Sequence, residues 1–265
     1  LNPRTIRRLR IYSGRTRALA SGLRHPCLFL HMPKCGGTSL SEALYSTVPL
    51  HKTVAVLDAI STRRAAAIMA FDRDEEALCH DDLEHGHLTF ALREEMMLAH
   101  MAAGAQLIHG HVLYSPRAQR HFGQRYRIVS LMREPVSRAL SNFAMMAGNG
   151  YCSPDVESWL NGPIGRSHAT VFLRYLGGRN IVSAEDEPAV LAQALGALLG
   201  TRHRALDAVP DAGQRIDEVG DGGTGADADD HAVLDIVDGF LGGQALGFGH
   251  GKNSQAGNQD FFSSD

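Results

Sequence analysis

Long apolar runs are missing from this chain of 265 residues, and none approaches the roughly 20 residues a membrane-spanning helix needs. Cysteine is scarce: the four present, Cys27, Cys35, Cys79 and Cys152, form no Cys-x-x-Cys pair. That speaks against a disulfide framework and favours a reducing, cytoplasmic compartment. Charge of one sign is not in excess either. Lys and Arg total 26 against 29 Asp and Glu, a formal net charge of -3, so nothing in the overall balance argues for nucleic acid as a partner. What the chain has is 44% hydrophobic residues and a length sufficient to bury a proper core.

Its order is that of an α/β protein. The run "CLFLHM" (Cys27 to Met32) precedes a glycine turn and a helical stretch to about Val48, which predicts a buried strand, a loop and a helix. Residues 53 to 103 read as mostly helical. "AQLIHGHV" follows as a second strand, then "RIVSLM" as a third, with Pro135 at the first position of the next helix. Strands alternating with helices imply a parallel sheet with helices on both faces, and in such sheets ligands gather at the carboxyl ends of the strands. Three spans are expected: a basic arm over 1–24, an α/β core over 25–210, and a Gly/Asp-rich loop, helix and flexible segment over 211–265. Seven arginines precede His25 and no apolar stretch of signal-peptide type accompanies them. That segment reads as a solvated arm, suited to peripheral contact with an anionic membrane surface.

Polar motifs fall at the ends of all three strands. "PKCGGTSL" has two glycines that let backbone approach an anion, the start of a helix that turns free N–H groups toward it, and Lys34, Thr38 and Ser39 as further donors. It is not the loop of nucleotide triphosphatases, G-x-x-x-x-G-K-[ST], because the lysine here precedes the glycines. At the end of "RIVSLM" stands Arg133, whose guanidinium suits a forked pair of hydrogen bonds to phosphate, and Ser141 lies two turns into the helix beyond. Taken alone, Arg133 could equally pair with Glu134 or Asp155.

Together "FLHMPKCGGTSL" and "SLMREPVSRALS" resemble the two donor-binding motifs of the carbohydrate sulfotransferases that use 3′-phosphoadenosine-5′-phosphosulfate (PAPS), in particular the heparan sulfate and uronyl 2-O-sulfotransferase branch. The resemblance spans roughly Leu28 to Met146. It implies a P-loop-like three-layer α/β/α fold with a central parallel sheet. It assigns Lys34, Cys35, Gly36, Gly37, Thr38 and Ser39 to the 5′-phosphosulfate, and Arg133 and Ser141 to the 3′-phosphate. It also implies a carbohydrate or glycolipid acceptor and no metal.

Two His-Gly-His triplets remain. Sulfuryl transfer to a hydroxyl needs a base, and histidine suits that role near neutrality. "LIHGHVLY" (Leu107 to Tyr114) lies between the two donor motifs, where that branch carries a "HGH" segment, so the resemblance makes His111 the base and His109 its support or a substrate contact. Glu42, in the helix after the glycine loop, is the runner-up base. The earlier "CHDDLEHGH" (Cys79 to His87) lacks zinc-type spacing and reads as a solvated turn, with a substrate-side loop as its alternative. Arg174 in "TVFLRYLGGR" is open to a substrate or a structural role. "GGTGADADD" (Gly222 to Asp230) matches one turn of a calcium repeat, too little for a stacked β-roll. Lys252 in "GKNSQ" is a candidate phosphate contact. Rival readings are a kinase with a degenerate phosphate loop and an inactive nucleotide- or glycan-binding protein.

Overall fold

The computed structural model describes residues 2–183 and 185–206. The expected Gly/Asp-rich segment of 211–265, the calcium-like turn and Lys252 lie outside the described residues.

Four short strands form one all-parallel sheet: β1 (Cys27–Leu30), β2 (Val54–Leu57), β3 (Leu107–Gly110) and β4 (Arg127–Ser130), in the order β2-β3-β1-β4. Residues alternate across it. Leu28 and Leu30 join one buried cluster with Ala55, Leu57 and Ile108, while Cys27 and Phe29 join a second with Leu107 and Val129. Helices close both faces. α2 (Gly37–Ser46) supplies Leu44 to the second cluster, followed by Val48. α4 (Gly86–Ala102), α5 (Pro116–Phe122) and the later helices Val171–Gly177 and Glu187–Leu206 supply Phe90, Met97, Ala118, Tyr175 and Ala194 to the first. Phe29, Leu28 and Leu30 are almost fully buried, each stabilising the fold by about 1.5–3 kcal/mol relative to exposure.

The connections decide where a ligand can sit. From β1 the chain passes over β3 to reach β2; from β3 it passes over β1 to reach β4. The two crossovers leave in opposite directions, with α2 on one face and α5 on the other, and they open a crevice at the carboxyl ends of β1 and β3.

The span 53–103 is mostly helical, with one strand that was not expected: Val54–Leu57 pairs with β3 along one edge, Ala55 and Leu57 buried, before α3 (Ala59–Phe71), a 3₁₀ turn at Glu76–Cys79 and α4. Four residues of Val, Ala and Leu between helices are too short for the hydrophobic period to separate strand from helix. The basic segment, against expectation, is not a loose arm. α1 (Pro3–Ser21) starts with Asn2 accepting from Arg4 N and with Pro3 in its first turn, and it lies against α2. Arg15 binds it down, donating to the carbonyls of Val48 (3.0 Å), Pro49 (3.3 Å) and Lys52 (2.8 Å), and Arg7 pairs with Glu42 at 2.5 Å. Gly14 permits this contact, since a Cβ there would overlap Ser46. Among the described residues no helix is long and apolar enough to cross a membrane.

Candidate active site

The glycine loop leaves β1 in a tight turn. Lys34 has φ 64° and Gly36 φ 79°, both left-handed, a strained conformation for the non-glycine Lys34. Cys35 is fully buried beneath the turn, with the backbone N–H of Arg133 directed at its thiol. The helix after it begins at Gly37 with no side-chain cap, so its first N–H groups remain available, and Thr38 and Ser39 stand exposed beside them.

β4 neighbours β1, with Ser130 opposite Leu30, so the loop after β4 meets the glycine loop. Lys34 and Arg133, both half-buried, come close enough that burial first and the Arg133 charge second lower the lysine pKa. Neither has an ion-pair partner among the described residues. The two carboxylates that might have claimed Arg133 are otherwise engaged. Glu134 caps α6 (Pro135–Gly148), accepting from Val136 N (2.8 Å) and Ser137 N (2.6 Å), and Asp155 caps α7 (Val156–Asn161), accepting from Ser158 N (3.0 Å). Two like charges held close together repel, and the charge of Arg133 also helps to lower the pKa of Glu134, after the hydrogen bonds that Glu134 accepts. Ser141 stands half-buried in α6, about 9 Å along its axis from Pro135.

At the crevice three histidines stack. His31 follows β1 and continues the ladder, donating from its N–H to Gly110 O at 3.0 Å. Its ring lies 4.6 Å from that of His111 and 5.1 Å from that of His109, and Phe29 stacks on both His31 and His109. His31 Nδ1 and His109 Nε2 share a hydrogen bond of 3.0 Å; His109 Nδ1 shares another, of 2.5 Å, with the Tyr45 hydroxyl. Burial lowers the pKa of His31 to about 4 and that of His109 to about 3, so both are neutral near pH 7. Burial also keeps the Tyr45 hydroxyl protonated.

His111 is held differently. Its Nδ1 lies 2.8 Å from the carbonyl of His31. A carbonyl only accepts, so Nδ1 carries the proton and Nε2 is left with its lone pair. Burial, with the neighbouring His31 next, lowers its pKa to about 3. His31, His109 and His111 line one side of a cavity of about 480 Å³, into which Thr38 and Ser41 also face.

Sequence reasoning missed the shell behind His111. Arg93 is completely buried, forks onto Asp81 at 2.8 and 3.0 Å, and donates to His111 O at 2.9 Å. Arg63 joins the same carboxylate at 3.0 Å. Burial opposes ionisation of Asp81, but Arg93 and Arg63 outweigh it and hold its pKa at about 2. The segment "CHDDLEHGH" is therefore only in part the solvated turn expected of it. His87 is exposed, but Asp81 is buried, and Asp82 binds Arg174 at 2.9 Å and lies 3.3 Å from His168 Nε2. Arg174 is structural: it is buried and also donates to Asp81 O and Asn180 Oδ1. Glu42, the alternative base, does not line the cavity and is engaged by Arg7, which does. No cluster of three metal-ligating side chains occurs among the described residues.

The structure thus gathers Lys34, Cys35, Gly36, Gly37 and Arg133 about the turns after β1 and β4, and His109 and His111, with His31 and Tyr45 added, on the cavity wall. Lys34 and Arg133 do not line that cavity, and the contact of Gly37 with the His31 ring links the two groups. The chain matches no known protein-family profile and no curated protein sequence.

Proposed function

We propose that the chain is a sulfotransferase moving a sulfuryl group from PAPS to a hydroxyl of a carbohydrate or glycoconjugate, with His111 as general base. The observation that carries this reading is one arrangement. Lys34 and Arg133, without ion-pair partners among the described residues, converge at an uncapped helix start whose Gly37 packs against the His31 ring, and the His31 carbonyl takes the Nδ1 proton of His111 and leaves Nε2 its lone pair. The parallel sheet with helices on both faces supports the three-layer architecture of the sulfotransferases.

In this reading the loop N–H groups, Thr38, Ser39 and Lys34 hold the 5′-phosphosulfate, while Arg133 and Ser141 hold the 3′-phosphate. The acceptor oxygen attacks sulfur as the bond from sulfur to the bridging phosphate oxygen breaks. Lys34 stabilises the charge gathering on that oxygen, and adenosine 3′,5′-bisphosphate leaves. The acceptor proton passes to His111 Nε2. Its lone pair is available throughout the physiological range, and anionic charge entering the loop raises its basicity toward the value proton transfer needs. His109, tied between Tyr45 and His31, fixes the histidine stack rather than accepting the proton.

The test pairs binding with turnover. Adenosine 3′,5′-bisphosphate is expected to bind in calorimetry without magnesium, and His111→Ala to retain that binding while losing sulfate transfer by about 100-fold or more. Binding of ATP with magnesium in its place moves the assignment to a kinase. Transfer that survives His111→Ala removes the histidine from the base role.

A further inference from the structure

The wall of the cavity facing the histidines is made by α1, outside the span from Leu28 to Met146 that carries the motifs. Arg7, Arg8, Ile11, Tyr12 and Arg15 all line it, while the β2 edge contributes Val54 and Val56. Residues 1–24 contain no Asp or Glu. Of the three arginines, Arg7 pairs with Glu42, and Arg15 is anchored on three backbone carbonyls with no carboxylate partner among the described residues. Arg8 is exposed, with no hydrogen bond or ion pair among the described residues. The one carboxylate in the lining is Asp58, whose oxygen is taken by Ser61 N (2.8 Å) and Ser61 Oγ (2.7 Å) at the start of α3. The cavity mouth is therefore cationic on the α1 side and apolar on the β2 side.

We propose that α1 is the acceptor-recognition element, and that Arg8, backed by the charge of Arg15, reads a carboxylate or phosphate on the acceptor while Tyr12, Ile11, Val54 and Val56 pack against its ring. This rests on the sulfotransferase reading, which makes the compartment beside His111 the acceptor side. A pocket of this volume takes a compact ligand, on the scale of one or two sugar rings. A neutral sugar in it leaves both arginine charges unanswered. An acceptor with one anionic group answers them by a charge-assisted hydrogen bond, among the stronger contacts available to a small ligand.

The experiment titrates the full chain, saturated with adenosine 3′,5′-bisphosphate, with methyl β-glucoside, methyl β-glucuronide and glucose 6-phosphate, followed by protein NMR shifts. The two anionic probes separate carboxylate from phosphate recognition. At least one of them is expected to bind about tenfold or more tightly than the neutral glucoside. Arg8→Glu is expected to abolish that preference, and the milder Arg8→Gln to reduce it. Arg10→Glu makes the same change in net charge on the other flank of α1, where Arg10 lines a separate groove, and is expected to leave the preference intact. Equal binding of charged and neutral probes overturns the proposal, as does an equal loss in the Arg8 and Arg10 variants. Failure of the sulfotransferase reading shows separately: the bisphosphate does not bind, or labelled PAPS yields no transfer to any probe, while the Arg8-dependent preference persists.

Discussion

Acidification to about pH 5 is expected to cost this protein several kcal/mol of stability, because three histidines are folded in the neutral state. His31, His109 and His111 have folded pKa values of about 4, 3 and 3, lowered first of all by burial. In the unfolded chain each returns to about 6.5. Their contribution is therefore complete above pH ~6.5 and lost as pH falls toward the folded values. Between pH ~7.5 and ~5.0 an unfolded histidine takes up a proton that the folded one refuses, which integrates to about 2 kcal/mol each and about 4–6 kcal/mol for the stack. The carboxylates do not blur this window, since Asp81 and Asp82 are already ionised well below it. His80, also lowered by burial, adds in the same direction, so the stack is isolated by difference. Urea unfolding at the two pH values, with His109→Gln beside the parent, makes the measurement; glutamine keeps polar contacts but does not titrate. The parent is expected to lose about 2 kcal/mol more than the variant. Equal losses in both would mean that His109 is charged or solvated in the folded state, and the stacked neutral cluster would be refuted.

Three further outcomes follow from the same geometry. Gly37→Ala places a methyl group into the His31 ring, which Phe29, His109 and His111 prevent from moving aside; a loss of about 1–3 kcal/mol in thermal unfolding is expected, with weakened bisphosphate binding. Asp81→Asn strips the charge partner from the fully buried Arg93 and loosens its hold on His111 O, which should destabilise by about 3 kcal/mol and lower turnover more than bisphosphate affinity. Glu42→Gln breaks only the partly exposed pair with Arg7, so a cost below about 1 kcal/mol and retained transfer are expected; loss of transfer with intact folding would return Glu42 to the role of base.

The elements that place the donor side were legible because each carried a local signal. Three of the four strands end where an apolar run meets a polar motif, and Pro135 marks the start of α6. α1 carried such a signal too, Asn2 before Pro3, but its seven-arginine neighbourhood suggested a solvated arm. Its docking escapes hydrophobic-period reasoning because it uses Gly14, the buried Ala18 and the hydrogen bonds of Arg15 in place of an apolar stripe. The strand β2 was hidden by its length, and no property of Val54–Leu57 alone says that β3 waits beside it.

His31 poses a different problem, because its identity was never in doubt and only its neighbours were. In sequence it is one residue of "FLHM", separated from His109 by 78 positions and from His111 by 80. Its partnership with them depends on β1 pairing with β3 in the register that sets Phe29 against His109 and Leu30 against Gly110. A shift of one residue would turn His109 to the opposite face of the sheet and away from both the His31 ring and Tyr45. The register in turn is held by what lies beneath: Leu28 and Ile108 on one face, Cys27 and Leu107 on the other, all buried. So the tautomer of His111, on which the chemistry rests, is fixed by a backbone carbonyl whose position is set by apolar packing three residues earlier. That dependence runs from core to strand register to ring nitrogen, and none of its links is local in the chain.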